Sequence, residues 1–209
     1  MTDANRNDVG PRLMEVAAVF IRMLQNTSEV QQIPGFDKTA LAVIGGVAVI
    51  HFSQHRATKD VDFAVVPSEI GPKIKSTLAQ AIPKRCQFFA DRFMVKVDDG
   101  WVQVDLVPGI KLPCLPKTMI RIHQINPDNI PIAAPLELLV MKSACCPIRG
   151  IPLKAKNDAK DVAAMMRYTR GNHLRLLWPD EQEVVRNAEN ALRKVHPDGK
   201  WDGKFSFVR

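Results

Sequence analysis

The sequence predicts an α+β fold with α/β alternation in its first part. A mixed β-sheet core flanked by helices is expected over residues 1–130, and a C-terminal helical segment packed on that core over 131–209. Three observations predict it. Short apolar runs of strand length alternate with helix-period segments as far as residue 107. Residues 108–135 are Pro-rich and irregular, as a connector would be. Beyond Pro135 only helical periodicity remains.

The elements follow in order. Residues 12–25 (RLMEVAAVFIRMLQ) put Leu13, Val16, Ala17, Phe20 and Leu24 on one stripe, the mark of an amphipathic helix. Residues 39–44 form an apolar strand, 46–54 a helix after the Gly45-Gly46 turn, and 60–66 a strand ended by Pro67. GPKIKSTLAQAI reads as a helix with Pro72 tolerated in its first turn. RFMVKV (92–97) and residues 101–107 flank Asp98-Asp99-Gly100, where an Asp-Gly step favours a hairpin. One further short strand is expected within 119–125. Pro135 then opens LELLVMKSAC, apolar nearly all round and therefore buried. KNDAKDVAAMMRY and DEQEVVRNAENALRKV supply two more helices, and Trp201, Phe205 and Phe207 of the tail are expected to dock back on the body.

Composition narrows the partners. No apolar run approaches the roughly 20 residues of a membrane span, and the polar start MTDANRNDVGPR lacks a signal-peptide core. A cytoplasmic protein without a membrane partner is expected. Four cysteines without metal-ligand spacing fit reduced thiols. The net charge of +7 is concentrated: residues 142–175 hold eight bases against Asp158 and Asp161. Such a block favours polyanions, an NTP or RNA, although a solvated helix surface has the same composition.

The chemistry concentrates in LAVIGGVAVIHFSQHRATKDVDFAVV, residues 41–66. Residues two apart on a strand share a face, so Asp60 and Asp62 project side by side from an apolar strand. Like charges there are costly without a cation, which points to a divalent metal. In WVQVDLVPG, Trp101, Gln103 and Asp105 share the polar face, and Asp105 is placed to join the pair. Gly45 and Gly46 let backbone N–H groups approach phosphates ahead of a helix N-terminus. Lys142 is a candidate triphosphate ligand, or a rim lysine of a buried helix.

The pattern Gly45-Gly46, Arg56-x-Thr58-x-Asp60-x-Asp62, then Asp105, resembles the nucleotidyltransferase superfamily that includes DNA polymerase beta. Lys142 in LLVMKSA and the Lys156-x-Asp158-x-x-Asp161 run extend the resemblance to the abortive-infection type nucleotidyltransferase toxins. It spans roughly residues 40–170. It implies Asp60, Asp62 and Asp105 as catalytic metal ligands, two Mg²⁺ ions with Mn²⁺ as the alternative, and Gly45, Gly46, Arg56, Thr58 and Lys142 at the nucleotide. Lys156, Asp158 and Asp161 are accessory. The implied activity is transfer of NMP from an NTP to a hydroxyl on tRNA or other RNA, a protein or a small molecule. A non-catalytic nucleotide- or RNA-binding relic and a kinase-like phosphotransferase are the alternatives. The family commonly has Ser or Thr after the glycines, where this chain has Val47.

Overall fold

The structure, a computed structural model, describes residues 9–98, 100–169, 176–199 and 201. Asp99, Arg170, Arg175, Phe205 and Phe207, all part of the sequence reading, lie outside the described residues. The chain divides into two compact units, Met1–Ala133 and Ala134–Arg209. The α+β class expected from the sequence is the one observed. Among the described residues no helix is long and apolar enough to cross a membrane.

The first unit is built on a mixed sheet. Its strands are β1 (Ala40–Ile44), β2 (Asp60–Val66), β3 (Cys86–Phe89), β4 (Arg92–Val97), β5 (Gly100–Pro108) and β6 (Ile120–Arg121), in the order β3-β4-β5-β2-β1-β6. Only β2 and β5 run parallel, as the crossover helix between them requires; the other pairs are antiparallel. The helices are α1 (Val9–Asn26), α2 (Ser28–Gln31), α3 (Gly45–Phe52) and α4 (Ile70–Ala81).

One sheet face is the core. The α1 stripe Leu13, Val16, Ala17, Phe20 and Leu24 is buried. Phe20 meets Phe63 of β2 at 5.4 Å and Phe93 of β4 at 6.4 Å between ring centroids. Val61, Phe63 and Val65 are fully buried, whereas Asp60 and Asp62 alternate with them on the opposite face and are half-buried. α4 joins α1 on the core face, with Gly71 against Val65 and Leu106.

The sequence reading omitted β3 and α2. Strand β3 is joined to β4 through Ala90 and Asp91, and Ala90 carries the turn at φ 55°. Asp91 is a turn-forming residue type, but no Gly, Asn or Pro accompanies it, so the signal in the sequence is weak.

In the second unit α5 (Pro135–Cys145), α6 (Pro152–Tyr168) and α7 (Pro179–Val195) each start on a proline, whose missing N–H costs nothing there. Glu137 and Glu181 accept the backbone N–H groups of Ala134 and Trp178, at 2.8 and 2.9 Å. α6 begins four residues before the expected Lys156. Trp201 is buried and donates its indole N–H to the His196 carbonyl at 2.7 Å.

Burial also ranks the thiols. It pushes Cys86 up to about 11, and burial followed by the Asp158 carboxylate pushes Cys146 up to about 11. Cys114 and Cys145 are partly exposed. A thiol-disulfide reagent at pH 8 is expected to label Cys114 and Cys145 in the folded protein, and Cys86 and Cys146 only on unfolding. Mass mapping of labelled peptides checks this.

Candidate active site

The arrangement starts from the end of β1. Ile44 stands in register with Asp62 of β2, and the chain then turns through Gly45 into α3. Gly45 has φ 70°, a left-handed conformation that costs an L-residue about 1–2 kcal/mol. Space forbids a side chain as well, because a Cβ on Gly45 would overlap Asp62 Oδ2. At Gly46 a Cβ would stand 2.6 Å from Thr58 Oγ1 and 3.1 Å from an Arg56 guanidinium nitrogen. The glycine pair therefore lets Asp62, Thr58 and Arg56 close directly on the start of α3.

The carboxylates come from neighbouring strands. Asp62 and Asp105 are register partners across the parallel β2–β5 pair, so their side chains leave the same face one strand spacing apart. Asp60 is partnered by Gln103 in the same register. Like charges side by side on a sheet repel, and three groups offset this. Thr58 donates its hydroxyl to Asp60 Oδ1 at 2.7 Å, and Gln103 donates its amide to Asp105 Oδ2 at 2.7 Å. The Lys75 ammonium, from α4, lies 4.0 Å from Asp105 Oδ1.

An all-oxygen donor set of this kind suits a hard divalent cation such as Mg²⁺. Among the described residues, however, no three His, Cys, Asp or Glu side chains stand close enough together to hold an ion as placed. Asp60 and Asp105 are engaged by Thr58 and Gln103 instead. The carboxylates are neighbours on one face and not yet a gathered set.

Val47, at the position where the resembled family commonly has Ser or Thr, packs inward. It is buried and lines a cleft with Ile50, His51 and the α1 residues Gly10, Pro11 and Met14. The position after the glycines feeds the α1–α3 packing.

Lys142, Asp158 and Asp161 belong to the second unit, where they form a buried ionic cluster. The Lys142 ammonium lies 3.1 Å from Asp158 Oδ1 and 3.1 Å from Asp161 Oδ2, and Arg149 Nε donates to Asp158 Oδ2 at 2.7 Å. All three of the former are nearly sealed from solvent. A phosphate contact by Lys142 would compete with two carboxylates. Lys156 is exposed on α6.

Gln103, which the sequence places on the polar face with Asp105, and Lys75 are not among the site residues expected from the sequence. Gln103 had a signal, since it lies two residues before Asp105 on the same face; Lys75 had none, because α4 brings it there through tertiary packing.

No protein-family model matches the chain, and no curated protein matches it. Among solved structures it is similar to an antigenic nucleotidyltransferase-like protein from Paracoccidioides brasiliensis. The TM-score is 0.58 at 17% identity, over 95% of this chain and 93% of that one. The likeness is one of fold.

Two stability outcomes are expected. Gly45→Ala should lower unfolding free energy by at least about 1–2 kcal/mol, whereas Gly10→Ala, with nothing within 4 Å of an added Cβ in α1, should cost nothing. Lys142→Met should cost about 3–5 kcal/mol by stranding buried carboxylates, and adding Asp158→Asn and Asp161→Asn should return part of it. Urea titrations at pH 7 read both.

Proposed function

We propose that the chain is a metal-dependent nucleotidyltransferase that transfers NMP from an NTP to an acceptor hydroxyl. The observation that carries this reading is the left-handed Gly45 turn seated on Asp62, with Asp105 in register beside it. The fold shared with a nucleotidyltransferase-like protein supports it. The further resemblance to abortive-infection toxins is part of the proposal.

The chain's own residues supply binding and proton handling. The Gly45-Gly46 turn offers backbone N–H groups at the start of α3 to phosphate oxygens. Arg56, packed against Gly46, places positive charge at the same turn. Thr58 orients Asp60 through its hydroxyl, and Gln103 orients Asp105. Asp60, Asp62 and Asp105 would hold Mg²⁺, which when bound neutralises charge on the attacking and leaving oxygens. Asp105 takes the proton of the acceptor hydroxyl as its oxygen bonds to the α-phosphorus; the bond to the β-phosphate breaks and pyrophosphate leaves.

One observation favours a second reading, a nucleotide-binding relic. The carboxylates are held by Thr58, Gln103 and Lys75 and are not gathered for an ion.

Purified protein with Mg²⁺, α-labelled NTPs and total RNA is expected to transfer label and release pyrophosphate. Asp60→Asn, Asp62→Asn and Asp105→Asn should each abolish transfer, with melting temperatures level or raised because a like charge is removed. Transfer that persists in the Asp105 variant sinks its role. An NTP-induced melting shift without any transfer identifies the relic, and γ-label transfer identifies a kinase-like reaction.

A further inference from the structure

The face that bears the carboxylates continues across β5, β4 and β3, and its far part carries a different chemistry. Side-chain alternation and register define the shared face. Asp105 and Gln103 lie two apart on β5, and Gln103 pairs with Met94 of β4. Met94 alternates with Arg92 and Lys96, Arg92 pairs with Phe89 of β3, and Lys96 pairs with Trp101. Phe89 and Trp101 meet edge to face across this surface, with ring centroids 5.3 Å apart and planes at 75°. Phe89 is 47% exposed, far more than a ring of the hydrophobic core. Trp101 is half-buried, and Arg92 and Lys96 are exposed.

Two aromatic rings that reach solvent beside a guanidinium and an ammonium are costly to leave wet, and they match one ligand chemistry well. Nucleobases stack on the rings while the backbone phosphates meet the bases of the protein. The positive charge is local: residues 84–101 hold Lys84, Arg85, Arg92 and Lys96 against Asp91, Asp98 and Asp99, and the register sets Arg92 beside Phe89 and Lys96 beside Trp101. Because β3 is an edge strand, the platform is open on its outer side.

We infer that Phe89 and Trp101, flanked by Arg92 and Lys96, form a stacking platform for single-stranded nucleic acid on the face that bears Asp60, Asp62 and Asp105. Resting on the proposed nucleotidyl transfer, this assigns the acceptor class as single-stranded RNA or DNA, lying across β3–β5. A duplex, whose bases are already stacked, gains nothing from such rings.

The test separates the platform from the transfer reaction by leaving out NTP and metal. The full chain is titrated at low salt with end-labelled single-stranded RNA decamers, following anisotropy and tryptophan emission. The expected result is sequence-tolerant binding with quenched emission. Phe89→Leu and Trp101→Leu keep apolar bulk and should each weaken binding about 5- to 150-fold. Trp101→Leu should also remove the quench, which Trp178 and Trp201 would otherwise retain. Arg92→Gln and Lys96→Gln should each flatten the salt slope by about 0.7. Wild-type affinity in both Leu variants, or equal competition by a duplex or by inorganic polyphosphate, overturns the platform. So does absence of RNA binding, the outcome expected if β3 instead pairs with a strand of a protein partner. Binding with the Leu-variant losses but no label transfer would leave the platform standing and remove the proposed reaction.

Discussion

The arrangement turns on the contact between Gly45 and the Asp62 carboxylate. A chain leaving β1 must reverse into α3, and it does so in a left-handed conformation that only glycine adopts cheaply. The same absence of a side chain leaves the volume that Asp62 occupies. Conformation and packing thus demand the same residue for independent reasons. The consequence is a carboxylate held against a helix start, where backbone N–H groups are unpaired by the helix itself. Gly46 repeats the device one residue later for Thr58 and Arg56.

Acidic groups crowded on one sheet face need compensation, and the first unit distributes it. A hydroxyl serves Asp60, an amide and a distant ammonium serve Asp105, and each leaves the carboxylate partly exposed. Such weak, solvent-screened partners can be exchanged for stronger ones. The second unit treats its own aspartates differently. Asp158 and Asp161 are almost wholly buried and share Lys142 directly, with Arg149 closing on Asp158. Desolvation makes those pairs expensive to break, so they behave as structure, whereas the open face of the first unit retains groups that a ligand can engage.

Much of this was legible from residue order because it is local. The alternation of Val61, Phe63 and Val65 with Asp60 and Asp62 follows from the pleat, and the α1 stripe follows from helical period. The proline start of α5 is also short-range chemistry. β3 was hard to read, since Ala90 takes the left-handed position of its turn and Asp91 is the sole turn-forming residue type there. The inward packing of Val47 was not legible, since the rotation of α3 directs it into the α1–α3 cleft.

By itself the sequence determined the α+β class, the pair of carboxylates on one strand face and the glycines that precede them, because period and turn chemistry act within a few residues. Tertiary structure decided the rest. Register between β2 and β5, separated by some 40 residues of chain, set Asp105 beside Asp62, and helix packing brought Lys75 to Asp105. The antiparallel run β3-β4-β5 brought Phe89 to Trp101. Those contacts depend on how whole elements pack and pair, and no spacing in a linear chain encodes a distance between strands.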